Sequence, residues 1–355
     1  MQNNRKTLSY VQISRAVAIL LVLIGHVNTE FYALNGFDWF NMGEWERTGG
    51  VDFFFIVTGF MIYYLYHKHI GNPKKASEFL QKRAIRILPL YWIFTLALGL
   101  MAYFVPVLGE HYSATDIMKS MFFLVNEPLI GSAWSLKHIL FFYILFAGLI
   151  YRPRFFKPIV IVWVITTILF EIKILQFYDS FLFSFSSLEV LLGSVVAYII
   201  LHYNIRFSSL WLTLGCLGFL LIWMNNIYSL YAIHSPLFYC VFSILIMLGI
   251  AEKDKKPIKV PKLLSFLGDA SYSIYIAHGP LLMLYIKVLD SAKTFLTINT
   301  SVMMTLVILL TTGSCSIVYL YIEKPISSAL RQRLLHPKDV KSITSKLSSE
   351  TGVMD

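Results

Sequence analysis

Apolar runs long enough to cross a bilayer as helices, about 20 residues each, recur ten times along this chain and leave few folds open to it. They fall at Val11–Val27, Val51–Tyr66, Ile87–Val107, Trp134–Tyr151 and Phe156–Leu175 in the first half. Phe181–Leu201, Leu210–Asn225, Tyr231–Ala251, Ser271–Val288 and Val302–Ile322 follow in the second. Of the 355 residues 57% are hydrophobic and only 14% are charged, too few to clothe a soluble globule of this size. The expected fold is an all-α, polytopic transmembrane helix bundle of about ten helices, spanning residues 1–330. The segment 331–355 is polar and basic and reads as a disordered cytoplasmic tail.

Loop charges test that count, because one missed or invented helix would invert the pattern of every later loop. Basic residues cluster after the second, fourth, sixth and eighth runs: Lys74 to Arg86, Arg152 to Lys157, Arg206, and Lys253 to Lys262. The alternate loops are poor in them, and the first carries Glu30, Asp38, Glu44 and Glu46. Both termini are therefore expected in the cytoplasm, in a multi-pass membrane protein. The net charge of +10 fits loops facing anionic lipid, and nothing points to nucleic acid. Cys216, Cys240 and Cys315 lie in apolar segments without paired spacing and read as buried small hydrophobes, giving neither a disulfide framework nor a metal site. The first run lacks a small-residue cleavage site and reads as a retained helix.

Ionisable groups inside such runs need a partner, a wet cavity or a job. Arg15 and His26 are eleven positions apart, three turns plus about 20°, so they share one helix face roughly 16 Å apart along the axis. Snorkelling of Arg15 and a satisfied His26 are the competing reading. Arg83 and Arg86, three apart and therefore on one face, form a possible phosphate clamp or ordinary charge at a helix end. Asp52 lies near the same end of its run as His26 and could orient that imidazole or simply face water. Ser271, Tyr272, Tyr275 and His278, before Pro280, could line a cavity, with Pro280 kinking the helix.

Taken in order, these segments resemble the acyltransferase 3 family of bacterial membrane acyltransferases, particularly members that modify exopolysaccharides. Arg15 and His26 match the family's Arg-ten-residues-His motif, Thr58-Gly59-Phe60 its Ser-Gly-Phe segment, and Arg83 with Arg86 its paired arginines. Leu267 to Tyr275 followed by His278 is similar to its penultimate helix, and Glu323-Lys324-Pro325 to the close of its last. One departure stands out. In Trp134-Ser135-Leu136-Lys137-His138-Ile139, an isoleucine replaces the family's glutamate. Either His138 assumes that polar role, the substrate differs, or this member is impaired.

The resemblance implies transfer of an acyl group, most often acetyl, from cytoplasmic acyl-coenzyme A to a hydroxyl of a carbohydrate or glycolipid acceptor, with no bound cofactor. His26 would be the base or acyl carrier, assisted by Arg15 and Asp52, with Arg83 and Arg86 on the donor's phosphates. Trp134, Ser135, His138, Ser271, Tyr272, Tyr275, His278 and Glu323 would line the cavity. A transporter or flippase of a lipid-linked glycan, or a non-catalytic family member, is the alternative; the first leaves its substrate chemically unchanged, the second does not consume acyl-coenzyme A.

Overall fold

The computed structural model describes residues 8–104, 112–176, 181–256, 259–291 and 299–335, and these contain helices and no strand. Ten helical stretches are long and apolar enough to cross a membrane. They are built from α1 (Ser9–Asn35), α2 (Gly50–Tyr66), α3 (Pro73–Phe104), α5 (Trp134–Tyr151), α6 (Pro153–Glu171), α7 (Phe185–His202), α8 (Ser208–Tyr228), α9 (Ser235–Lys253), α10 (Lys262–Ser291) and α11 (Thr300–Val318). A short α4 (Ala114–Met121) follows α3, and a π-helical turn, Tyr319–Glu323, leads from α11 into α12 (Lys324–Leu335).

Every expected run holds a helix, but several helices outgrow their apolar stretch. α3 begins fourteen residues before Ile87, so Arg83 and Arg86 sit inside it, and α10 begins nine residues before Ser271. Hydropathy marks only the part of a helix that lipid covers, whereas backbone hydrogen bonding continues into the aqueous ends. Pro73 at the start of α3 and Pro236 in the first turn of α9 set those boundaries, since the missing N–H is unpaired there anyway. α10 runs continuously through Pro280. The last helix also departs from expectation: residues 331–335 are the end of α12 rather than tail, and 336–355, like Val107, lie outside the described residues.

The centre of the bundle is α2, which packs along α7, while α1 packs along α10 and α8 along α9. α6 and α8 are peripheral and mostly uncovered. That placement leaves Cys216 of α8 exposed, unlike the buried Cys240 and Cys315. The α2–α7 crossing is close because Gly59 faces the Val190 carbonyl and Gly193 faces the Ile56 carbonyl; a Cβ at either position would strike that oxygen. Gly59→Val should therefore destabilise the fold by about 1–3 kcal/mol or more, seen as a lower thermal midpoint of detergent-purified protein. Gly313→Ala, which opens onto empty space, should leave the midpoint unchanged or raised.

One end of the bundle gathers the start of α1, the α2–α3, α5–α6 and α7–α8 turns and the end of α9. Asp254 accepts from the backbone N–H groups of Tyr10 (2.8 Å) and Val11 (3.0 Å), Gly71 N–H donates to Ile150 O, and Lys255 reaches Tyr203 O. These are the loops rich in lysine and arginine. At the opposite end α1 closes on Gly36, and Asn28 fixes the following loop by accepting from Trp39 N–H (2.7 Å) and donating to Asp38 (2.7 Å).

Candidate functional site

Arg15 and His26 do share a face of α1, and that face meets α10. Arg15 donates from Nη2 to Ser271 Oγ (2.8 Å) and from Nη1 to Gln12 Oε1 (3.2 Å), while the His26 ring lies 5.0 Å from that of His278. His278 is buried and its Nδ1 is 2.9 Å from the Ile274 carbonyl, which only accepts. Nδ1 therefore carries a proton, which leaves Nε2 as the lone-pair nitrogen of the neutral ring. His26 is exposed.

Below this histidine pair, a cavity of about 350 Å³ runs from the basic end toward mid-bundle. Arg15, Arg83, Arg86 and Arg331 line it with Asp269 as the single carboxylate. The four guanidiniums are not equivalent. Arg86 is ion-paired with the buried Glu323, whose other oxygen accepts from Ser273 Oγ. Arg83 donates to Tyr66 Oη (3.1 Å) and lies over the Tyr66 ring, and neither Arg83 nor Arg15 has an ion-pair partner among the described residues. The uncommitted cations are thus Arg15 and Arg83, rather than the pair Arg83 and Arg86. The π-helical turn places Glu323 against Arg86 and carries the chain past Pro325 without ending the helix. Arg331, beyond that proline, was hidden by it: Pro325 reads as a stop, although basic residues on a continuing helix were the available signal.

The inner end of the cavity is hydroxyl-rich. Tyr275 Oη donates to the Ser132 carbonyl and meets Ser135 Oγ, and Ser132 Oγ donates to Tyr275 O (3.0 Å). The Tyr275 ring is 6.2 Å from that of His278, so the cavity floor and the histidine pair are adjacent. Ser135, Ser271, Tyr272 and Tyr275 line the cavity, and Ile139 stands on its wall. Trp134, His138, His278 and Glu323 do not line it. Phe55 does, and it presents its ring to Trp134 and His138 behind it. His138 is buried with Nδ1 2.8 Å from Ser187 Oγ, so it faces α7 and does not occupy the place of a carboxylate at Ile139. His278 and Glu323 act from behind the wall, one on His26 and the other on Arg86.

Asp52 is likewise corrected. Its Oδ1 accepts from Arg47 Nη1 (3.0 Å), it is fully buried, and its other neighbour is Glu189 of α7; the described contacts do not link it to His26. Being near the same helix end gave no information on rotation, and the first turn of α2 points Asp52 toward α7. Glu189 was missed by motif reading. It is a fully buried carboxyl in an apolar span, set against the Asp52 carboxyl, so the rule that flagged Arg15 would have flagged it too. In the loop, burial opposes the charge of Arg47, but Asp52, Glu189 and Glu46 outweigh it and hold its pKa above the ordinary arginine value. Arg47 also lies 5.7 Å from the centre of the Trp134 ring.

Residues 8–320 match the acyltransferase domain family, acyltransferase 3. The chain is similar to the exopolysaccharide production protein ExoZ of Rhizobium meliloti (strain 1021), at 26% identity over 259 residues covering 66% of this chain and 78% of that relative. No solved structure matches.

Proposed function

Because this chain belongs to the acyltransferase domain family, a multi-pass membrane acyltransferase, we propose that it transfers an acetyl group from cytoplasmic acetyl-coenzyme A to a hydroxyl of an exported polysaccharide. The observation that carries this reading is the two-ended site: a cavity mouth with two uncommitted arginines, and a histidine pair beside its inner end. The lysine- and arginine-rich loops beside the mouth support a cytoplasmic orientation by the positive-inside rule, the side on which coenzyme A thioesters are made. The polysaccharide acceptor follows from the similarity to ExoZ.

In this mechanism Arg15 and Arg83 bind the donor's phosphates, with Arg86 and Arg331 adding positive potential. The pantetheine arm extends along the Phe54, Phe55 and Tyr143 wall, and its thioester comes to the Ser135–Tyr275 end. His26 takes the proton of the acceptor hydroxyl as oxygen attacks the thioester carbonyl; the C–S bond then breaks and the thiolate regains a proton. His278 Nε2 faces this reaction with its lone pair. Ile139 places no carboxylate at the wall, so His26 and His278 carry the proton transfers.

The experiment is glycan mass spectrometry on cells with and without the gene, paired with acetyl-coenzyme A consumption by the purified protein. The expected result is an acetyl mass on the glycan only when the gene is present, with thiol release in vitro. A glycan exported but unmodified would assign transport instead, and loss of neither export nor acylation would remove the enzymatic reading.

A further inference from the structure

A second cavity, of about 380 Å³, opens at the opposite end of the bundle between the α1–α2 loop and the α8–α9 turn. Its size falls in the range of about 300–1,000 Å³ typical of small-ligand sites. Trp45, Tyr231, Asn225, Asn226, Glu44 and Glu46 line it. We propose that this cavity binds a neutral saccharide unit of the acceptor, away from the hydroxyl that is acylated.

The chemistry of the lining selects that ligand. Aromatic faces cover the C–H surface of a pyranose ring, and amides and carboxylates take its hydroxyls. No lysine or arginine lines the cavity, so it lacks what a lipid phosphate or an acidic sugar would need. Trp45 contributes its ring to the lining, so its part is to stack on a sugar face rather than to bond a hydroxyl. The rim is fixed before any ligand arrives: the Asn225 amide holds the Tyr231 backbone through both its oxygen and its nitrogen at 3.0 Å, which limits the ordering cost of binding.

The cavity is also joined to the reaction site. The Trp45 ring lies 5.9 Å from that of Trp223, whose N–H donates to Thr48 O (3.2 Å), and Thr48 Oγ1 donates to Leu21 O on the His26 helix (3.0 Å). Glu46 accepts from Arg47, which lies over Trp134, the neighbour of Ser135 on the donor cavity floor. A polysaccharide held here would be anchored to the elements that position His26.

This inference rests on the polysaccharide reading above, and its test separates the two. Exopolysaccharide from a strain lacking the gene is cut into oligosaccharides from one repeat unit upward. Their binding to the purified protein in nanodiscs is measured by calorimetry without donor, and their acylation is measured with acetyl-coenzyme A. Wild-type protein should bind the longer members, and Asn226→Ala and Trp45→Ala should weaken that binding on the order of tenfold. KM should rise similarly for long acceptors and far less for the single repeat unit, so the preference for length collapses. Equal weakening for every length, or unchanged binding in both variants, overturns the saccharide cavity. Saturable binding that these variants lose, with no acylation of any member by the wild type, would retain the cavity and reject the transferase reading.

Discussion

His26→Ala is expected to lower the proposed acetyl transfer by about 10²–10⁴-fold, the range contributed by a positioned general base, while the protein still inserts and melts like the wild type. The expectation follows from its location: His26 is the exposed member of a histidine pair next to the donor cavity floor. The fall should lie in kcat, with KM for the proposed acetyl-coenzyme A donor little altered, because the arginines proposed to hold it line the other end of the cavity. His278→Asn is the informative companion. An asparagine amide can still donate to the Ile274 carbonyl as Nδ1 does now, but it offers nothing in place of Nε2, so a smaller loss of roughly tenfold is expected if His278 orients or relays for His26. Transfer by His26→Ala within a few fold of wild type would remove the base assignment.

Arg83→Gln should raise KM for the proposed acetyl-coenzyme A donor by about 10- to 100-fold, the value of losing one charge-assisted hydrogen bond to phosphate at roughly 1.5–3 kcal/mol. Arg15→Gln should act in the same direction. Truncated donors sharpen the test: if Arg83 holds a phosphate, acetylpantetheine, which carries none, should be used equally by wild type and Arg83→Gln, because the partner group is already gone. Arg86 is expected to behave differently. Its removal strands the buried Glu323 carboxylate, so Arg86→Ala should show mainly as lost thermal stability. A large donor effect at Arg86 with none at Arg83 would reverse the ranking.

The spans were legible because lipid demands about 20 apolar residues per crossing, and the Arg15–His26 face was legible because helical rotation is fixed at 100° per residue. What composition hides is the rotation of one helix against another. Asp52 and His26 lie near the same end of adjacent helices, yet Asp52 turns toward Arg47 and Glu189. His138 and Ser135 are three residues apart on α5, yet only Ser135 reaches the cavity. Helix ends were similarly obscured, since capping and aqueous extensions carry no hydropathy signal. Arg331 shows the cost: a π-helical turn lets the helix continue beyond Pro325, and a residue placed in a tail became part of the wall.

The hydroxyl cluster at the donor cavity floor bears on bioenergetics. Tyr275 Oη is committed to Ser132 and Ser135, and Ser132 is committed back to Tyr275, so a file of water passing between the two ends of the bundle would first have to break those bonds. In the proposed mechanism a thioester meets this cluster from one side, and for as long as those bonds hold they oppose a continuous thread of water through this part of the polar interior.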